Sequence, residues 1–254
     1  LTFNGEIYNY IELKKHLEKK NYIFLTDSDT EVLIKLYDCY QEESLKLLEG
    51  MWAFAIYDKV KKNLILSRDR FGEKPLHIYK TNNGIFFGSE TKFIENLSSN
   101  IQEPNHLKSK TFLNFGYNSV FLNKQTFKKN IFSINASSFI NINSKLEISE
   151  KKYWKIGRYK NDIQMSSKVA SEKVNDLITN SLKIRLRSDV KNIFCLSGGI
   201  DSGSLVSIAS KKFNMKVDTF SIIDSNSPKY NERHLIEKTL EDTGAKKNVL
   251  FTEK

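Results

Sequence analysis

Cysteine is scarce. Cys39 and Cys195 are the two thiols in 254 residues, too few for a disulfide framework and in keeping with a reducing compartment. No run approaches the ~18 apolar residues of a membrane span, and the opening Leu1-Thr2-Phe3-Asn4 is neither a Met start nor a signal peptide. Repeats and low-complexity tracts are missing too. Arginine supplies only six of the 40 basic residues, so the net charge of +10 is carried by lysines interleaved with glutamates. Arg is the usual reader of phosphates and base edges, and a Lys-rich balance of this kind reads as a solvated surface. A cytoplasmic protein with no nucleic-acid and no membrane partner is expected. A hydrophobic fraction of 39% and 12% aromatics point to a folded chain with a buried core. Its length fits one large domain or two medium ones.

Hydrophobic period divides the chain. The first part reads as strands with two early helices: a strand over 3–8, a helix over 10–20 with Asn9 as a candidate cap, and a helix over 31–40. Next come an apolar strand over 51–58, another over 63–68, and a hairpin of 76–80 and 85–88 around Thr81-Asn82-Asn83-Gly84. Residues 98–152 show short β-like runs, FLNFGY and SSFINI among them. From residue 168 the spacing becomes helical through 186. Strands over 192–196, 217–223 and 248–252 then alternate with helices over 204–212 and 232–242, the last stopped by Gly244. That order implies a parallel sheet with helices on its faces. A boundary is expected within 150–166, giving domains 1–154 and 155–254. Cys39 falls in a predicted helix and Cys195 in a predicted strand, and both read as small core residues rather than nucleophiles.

Ser197-Gly198-Gly199-Ile200-Asp201-Ser202 follows a strand and opens a helix. Backbone amides at a helix start bind anions, and paired glycines let a phosphate approach. Ser197 and Ser202 add hydroxyl donors. The Asp201 carboxylate beside phosphate requires a cation between them, and Mg²⁺ with oxygen ligands meets that need. The string lacks the G-x-x-x-x-G-K-[ST] pattern of a Walker loop.

The loop resembles the SGGxDS element of ATP pyrophosphatases, which cleave ATP between the α and β phosphates. Upstream lie Asn4-Gly5-Glu6-Ile7-Tyr8-Asn9, Ser28-Asp29-Thr30-Glu31, Arg68-Asp69-Arg70-Phe71-Gly72-Glu73-Lys74-Pro75-Leu76 and Phe87-Gly88-Ser89-Glu90. Together and in this order the motifs resemble glutamine-dependent asparagine synthetase over nearly the whole chain, with His77 where that family usually has Tyr. The resemblance implies an N-terminal Ntn-type αββα glutaminase sandwich followed by a parallel-sheet α/β nucleotide-binding domain, incomplete here.

The resemblance also implies site residues. A glutaminase passes through an oxyanion that needs preplaced donors, and the family gives that role to the Asn4 side chain and the Gly5 N–H. Asp29 would hold the ammonium of glutamine, because Ser28 and Glu31 have capping-box spacing and leave its carboxylate available. Glu6 would contact the same head group. Arg68, Asp69 and Lys74 are expected to brace loops through ion pairs. Ser197, Gly198, Gly199, Asp201 and Ser202 would hold ATP and its pyrophosphate portion with Mg²⁺ on Asp201, and Leu196 and Ile222 would hold the adenine.

The family's nucleophile is an N-terminal cysteine, so a fragment at both ends, inactive by itself, is expected. The expected reaction is ATP-dependent amidation of aspartate with ammonia from glutamine, in a protein that forms homodimers. Amidation of another carboxylate, or a non-catalytic glutamine or nucleotide sensor, stays open at this point.

Overall fold

The computed structural model describes residues 1–157, 165–224 and 231–252. The chain divides into two units, Leu1–Tyr159 and Lys160–Lys254. The boundary expected within 150–166 falls in part on residues 158–164, outside the described residues.

In the first unit a five-stranded antiparallel sheet runs in the order β1 (Thr2–Ile7), β2 (Gly50–Asp58), β3 (Asn63–Arg68), β7 (Ser138–Ile142), β8 (Ile148–Lys152). A second sheet has β4 (His77–Lys80) between β5 (Ile85–Gly88) and β6 (Ile131–Ser133). Strand periodicity explains the layering, since successive side chains point to opposite faces. In β2, Trp52, Phe54 and Ile56 join Leu13 and Leu17 of α1 (Tyr10–Glu18) and Val32, Leu33 and Leu36 of α2 (Asp29–Tyr40). The intervening Ala53 and Ala55 pack with Leu76, Ile78 and Ile134 on the side of the second sheet. Within β4 the alternation repeats: Ile78 faces the first sheet, while Tyr79 packs with Ile94 of α4 (Thr91–Ser98) and with Ile131. The result is helix, sheet, sheet, helix, the expected αββα sandwich. Each fully buried large side chain in these layers contributes about 1.5–3 kcal/mol.

Some local expectations fail for identifiable reasons. FLNFGY is not a strand. Residues His106–Phe115 form α5, capped by Asn105, whose side chain accepts from the Lys108 amide at 3.1 Å, and stopped at Gly116. Its aromatic residues favour strands, but the cap and the stop prevail. The helix buries Lys108, whose ammonium donates to the carbonyls of Ser119 and Val120 at 2.9 and 2.8 Å. Asn9 does not cap α1. Its side chain bonds the Leu47 carbonyl and the Glu49 amide instead, holding the turn that follows α3 (Ser44–Leu47).

His77 pairs across the sheet with Ser133, whose hydroxyl lies 3.0 Å from its Nδ1. Burial, with the Arg68 guanidinium nearby, pushes its pKa down to about 4. The unfolded chain takes up this proton below about pH 6.5, the folded one only near pH 4. Stability is therefore complete above pH 6.5 and declines as pH falls toward 4, by about 3 kcal/mol in order of magnitude. Urea midpoints at pH 7 and pH 4.5 should show a smaller acid loss for His77→Gln than for the parent chain, and equal losses would contradict this account.

In the second unit β9 (Ile193–Cys195), β10 (Asp218–Asp224) and β11 (Lys246–Thr252) are parallel, with β10 central. Connections α7 (Ile200–Ser207), continued by a wider turn over Ile208–Lys212, and α8 (Arg233–Thr243) bury Val206, Ala209, Ile236 and Leu240 together with Leu196 and Ile223. The alternation of strands and helices was legible, and Gly244 ends α8 in a left-handed conformation as expected. Leu182 of α6 (Ser167–Arg185) joins this core, whereas Val174 and Leu177 are exposed. Ile193 and Ile222 sit on the other face of the sheet, 60% and 61% exposed. Cys195 is exposed as well, contrary to its reading as a core residue, while Cys39 packs against the helix-side core.

Candidate functional site

Asn4, Gly5 and Glu6 lie in β1 against β2, with Gly5 opposite Trp52. Gly5 has φ +155°, and a Cβ there would sit 2.1 Å from the Met51 carbonyl oxygen. Gly50 mirrors it, with φ +159° and a Cβ position 2.1 Å from the Glu6 carbonyl oxygen. The strands approach so closely that neither position has room for a side chain. Asn4 Nδ2 donates to Ser89 Oγ at 3.1 Å. That uses one of its two N–H bonds and fixes the direction of the other. Both residues line a mostly apolar cavity of about 550 Å³ with Ala53, Leu76 and Phe87. Glu6 is exposed.

Asp29 comes to the same strand through the backbone. Its Oδ2 accepts from the Ile7 amide at 2.9 Å, and its Oδ1 from the Thr30 hydroxyl at 3.3 Å. The carboxylate is thus partly engaged, tying the start of α2 to the end of β1. The expected capping box does not form. Ser28 accepts from the Thr30 amide at 3.2 Å, but Glu31 turns to the preceding loop and accepts from the amides of Leu25 and Thr26 and from the Thr26 hydroxyl. Those bonds, with Lys35 beside it, bring the Glu31 pKa down to about 2.

Arg68, Asp69 and Lys74 do brace a loop, though not by the expected ion pairs, and none joins these three among the described residues. The Arg68 guanidinium donates to the carbonyls of Lys74, Ile134 and Gly72 at 2.7, 2.8 and 2.8 Å. Asp69 is fully buried and accepts four backbone amides: Phe71 and Glu73 on Oδ1, both at 3.0 Å, and Lys74 and Trp52 on Oδ2, at 2.9 and 3.2 Å. Tight turns leave amides pointing inward, and a carboxylate satisfies several at once.

In the second unit, Ser197 to Ser202 joins β9 to α7. Gly198 has φ +89°, and a Cβ there would lie 2.9 Å from the Glu232 Cβ and 3.2 Å from the Glu232 carbonyl oxygen. The two serine hydroxyls lie 3.1 Å apart, and Ser202 Oγ also accepts from the Ser197 amide at 3.2 Å and donates to the Gly199 carbonyl at 3.1 Å. The helix starts at Ile200, four residues earlier than expected, because Gly199 in an extended conformation serves as its cap. Asp201 therefore sits in the first turn, exposed. Leu196 and Ile222 are not brought together. Leu196 is 1% exposed in the core, its amide bonded to the Phe220 carbonyl and its carbonyl to the Ser221 hydroxyl, while Ile222 faces outward on the opposite side of the sheet.

Comparison with known proteins identifies the first unit. A family model described as "Glutamine amidotransferase domain" matches residues 1–154. The chain belongs to the glutamine amidotransferase family. In this amidotransferase a second model, "Asparagine synthase", matches residues 173–254. Asparagine synthetase [glutamine-hydrolyzing] 1 of Bacillus subtilis (strain 168) is 37% identical over 222 residues, covering 87% of this chain and 34% of that protein. Asparagine synthetase [glutamine-hydrolyzing] 3 of the same organism is 31% identical over 239 residues, covering 91% of this chain and 37% of that one. A solved structure of glutamine phosphoribosylpyrophosphate amidotransferase from B. subtilis, complexed with ADP and GMP, aligns with TM-score 0.44 and 14% identity over 98% of this chain and 60% of that one. The amidotransferase chain spans about a third of the length of these curated relatives. The resemblance to glutamine-hydrolysing asparagine synthetases is borne out in both units.

The sequence alone assigns no role in this amidotransferase to Ser89, which orients Asn4, and a different one, in a capping box, to Glu31, which fixes the loop before Asp29. Ser89 was visible as part of FGSE, but only the fold puts it beside Asn4. No helix among the described residues is long and apolar enough to cross a membrane.

Proposed function

We propose that this chain is part of a cytoplasmic, glutamine-hydrolysing asparagine synthetase, in which the first unit frees ammonia from glutamine and the second activates aspartate with ATP. The observation that carries the reading is the joint occurrence of the Asn4–Gly5 element and the Ser197–Ser202 loop, each held in a conformation that excludes a Cβ. At the first site, the free N–H of Asn4 and the Gly5 amide stabilise negative charge on the oxygen of the glutamine side-chain amide. Asp29, with Glu6 beside it, receives the ammonium of glutamine. Water completes the hydrolysis to glutamate and ammonia.

At the second site, Ser197, Gly198, Gly199 and Ser202 hold the phosphates of ATP. The aspartate side-chain carboxylate attacks the α phosphorus, pyrophosphate leaves, and ammonia attacks the resulting acyl carbon, expelling AMP and giving asparagine. Asp201 offers a hard, exposed oxygen donor in the first turn of α7, with no hydrogen bond among the described residues. Mg²⁺ commonly binds through one or two carboxylates plus substrate phosphates, and Asp201 fits as one ligand. The ion supplies charge neutralisation between carboxylate and phosphate. The adenine contact is proposed for Ile222, whose side chain faces outward, and through the backbone near Leu196. Small-molecule substrates and a homodimer complete the proposal.

The test is aspartate-dependent exchange of labelled pyrophosphate into ATP by the polypeptide as encoded. The parent should exchange with aspartate. Asp201→Ala should lower the rate by at least about 100-fold while leaving glutamine hydrolysis intact. Exchange with another carboxylate and none with aspartate would overturn the assigned acceptor.

A further inference from the structure

We propose that Asp69 is a positioning residue for the oxyanion site: by holding the Met51–Trp52 peptide it fixes the orientation of the Gly5 backbone. The inference rests on the proposed role of Asn4 and Gly5 in glutamine hydrolysis. Its starting point is that a fully buried carboxylate shares one oxygen, Oδ2, between Lys74 of its own loop and an amide outside that loop. Three of the four amides bound to Asp69 belong to Phe71, Glu73 and Lys74 in the turn that follows it. The fourth, from Trp52, belongs to β2. The Asp69 amide also donates to the Trp52 carbonyl at 2.9 Å, so both sides of Trp52 are gripped by one residue.

The N–H and C=O of a trans peptide point in opposite directions. With the Trp52 N–H turned toward Asp69, the Met51 carbonyl is turned the other way, toward β1. There it meets Gly5, whose absent Cβ would lie 2.1 Å from that oxygen and 2.8 Å from the Trp52 Cα. Gly5 thus rests its backbone, at φ +155°, directly on the peptide that Asp69 orients. A short chain of contacts runs from the RDRFGEKPL loop to the Gly5 amide. The loop itself is held by Arg68, which bonds the carbonyls of Gly72, Lys74 and Ile134.

Asp69→Asn keeps the size of the side chain but replaces an acceptor oxygen with a donor nitrogen, which cannot receive backbone amides. The readout is a pair of ligands for the polypeptide as encoded. Glutamate γ-semialdehyde accepts addition of a thiol, the N-terminal cysteine that the family resemblance implies for the encoded polypeptide. A C–S bond forms, the thiol proton passes to the former aldehyde oxygen, and that oxygen of the tetrahedral hemithioacetal needs the donors, whereas glutamate binds the same head-group contacts without forming one. Asp69→Asn should weaken the aldehyde by about 100-fold and change glutamate binding by less than threefold. Because both readouts are affinities, loss of folded protein does not imitate that split. Gly72→Ala is the milder second variant. A Cβ at Gly72 would lie 3.1 Å from the Arg68 guanidinium carbon and 3.2 Å from the Ala136 Cβ at φ +70°, straining the loop while leaving Asp69 in place. It should show the same split at about tenfold, and it decides the matter if Asp69→Asn does not fold. Parallel changes in the two affinities, or none, overturn the positioning role alone. A parent protein that does not hydrolyse glutamine overturns the proposed function together with it.

Discussion

Gly5→Ala is expected to reduce glutamine hydrolysis by at least about 10²–10³-fold, the loss typical of one oxyanion donor. A Cβ 2.1 Å from the Met51 oxygen cannot be accommodated, so β1 must move away from β2 or Gly5 must leave φ +155°. Either change takes its amide out of line with Asn4, and the backbone strain adds about 1–3 kcal/mol of destabilisation. Amidation supplied with free ammonia should persist, because it bypasses glutamine hydrolysis. Gly84→Ala is the matched control. Gly84 lies in the β4–β5 turn with nothing within 4 Å of its Cβ position, and its substitution should leave both activities unchanged. Steady-state rates with glutamine and with ammonia check the prediction, and a Gly5→Ala protein that still hydrolyses glutamine at the parent rate would contradict it.

The second large effect is expected at Gly198. An alanine Cβ would approach the Glu232 Cβ to 2.9 Å at φ +89°, pressing the loop against the start of α8. The phosphate-holding amides then shift, and aspartate-dependent pyrophosphate exchange should fall by at least about 100-fold, as expected when positioning of reacting groups is lost. Gly244→Ala separates strain from site. Gly244 also has a positive φ, +64°, but no atom within 4 Å of its Cβ position. It should cost about 1 kcal/mol of stability, the usual penalty for a left-handed non-glycine residue, and leave exchange intact. Equal exchange in Gly198→Ala and Gly244→Ala would show that the loop does not hold phosphate.

The residues that were legible in the sequence are those whose neighbours along the chain reveal them. The apolar run over 51–58 marks a strand, and in the structure Trp52, Phe54 and Ile56 pack into one layer while the alternating Ala53 and Ala55 pack into the other. SGGIDS announced itself by sitting between an apolar run and a helix, and of its two glycines Gly198 proved to be required, by its φ and by contact with Glu232. The αββα order came from the motif resemblance and was then accounted for by these alternations.

What stayed hidden depends on contacts made by the backbone or across the fold. The Asp69 cage involves four main-chain amides, and an amide carries no side-chain signature. Ser89 reaches Asn4 across 85 positions in the chain. Glu31 matched the capping-box spacing, yet Leu25 and Thr26 offered it better-placed donors. The resemblance implies an adenine contact at Leu196, and what it does not reveal is that the Leu196 side chain turns into the core, which leaves its backbone for any such contact.

Amide transfer can be followed by supplying the polypeptide as encoded with glutamine carrying ¹⁵N in its side-chain amide, together with aspartate and Mg-ATP. If glutamine hydrolysis in the first unit feeds nucleotide-driven amidation in the second, the label appears in the side-chain amide of asparagine, with one AMP formed per asparagine. Label recovered only as free ammonia, or ADP and inorganic phosphate in place of AMP, would contradict the joint reading of the two units.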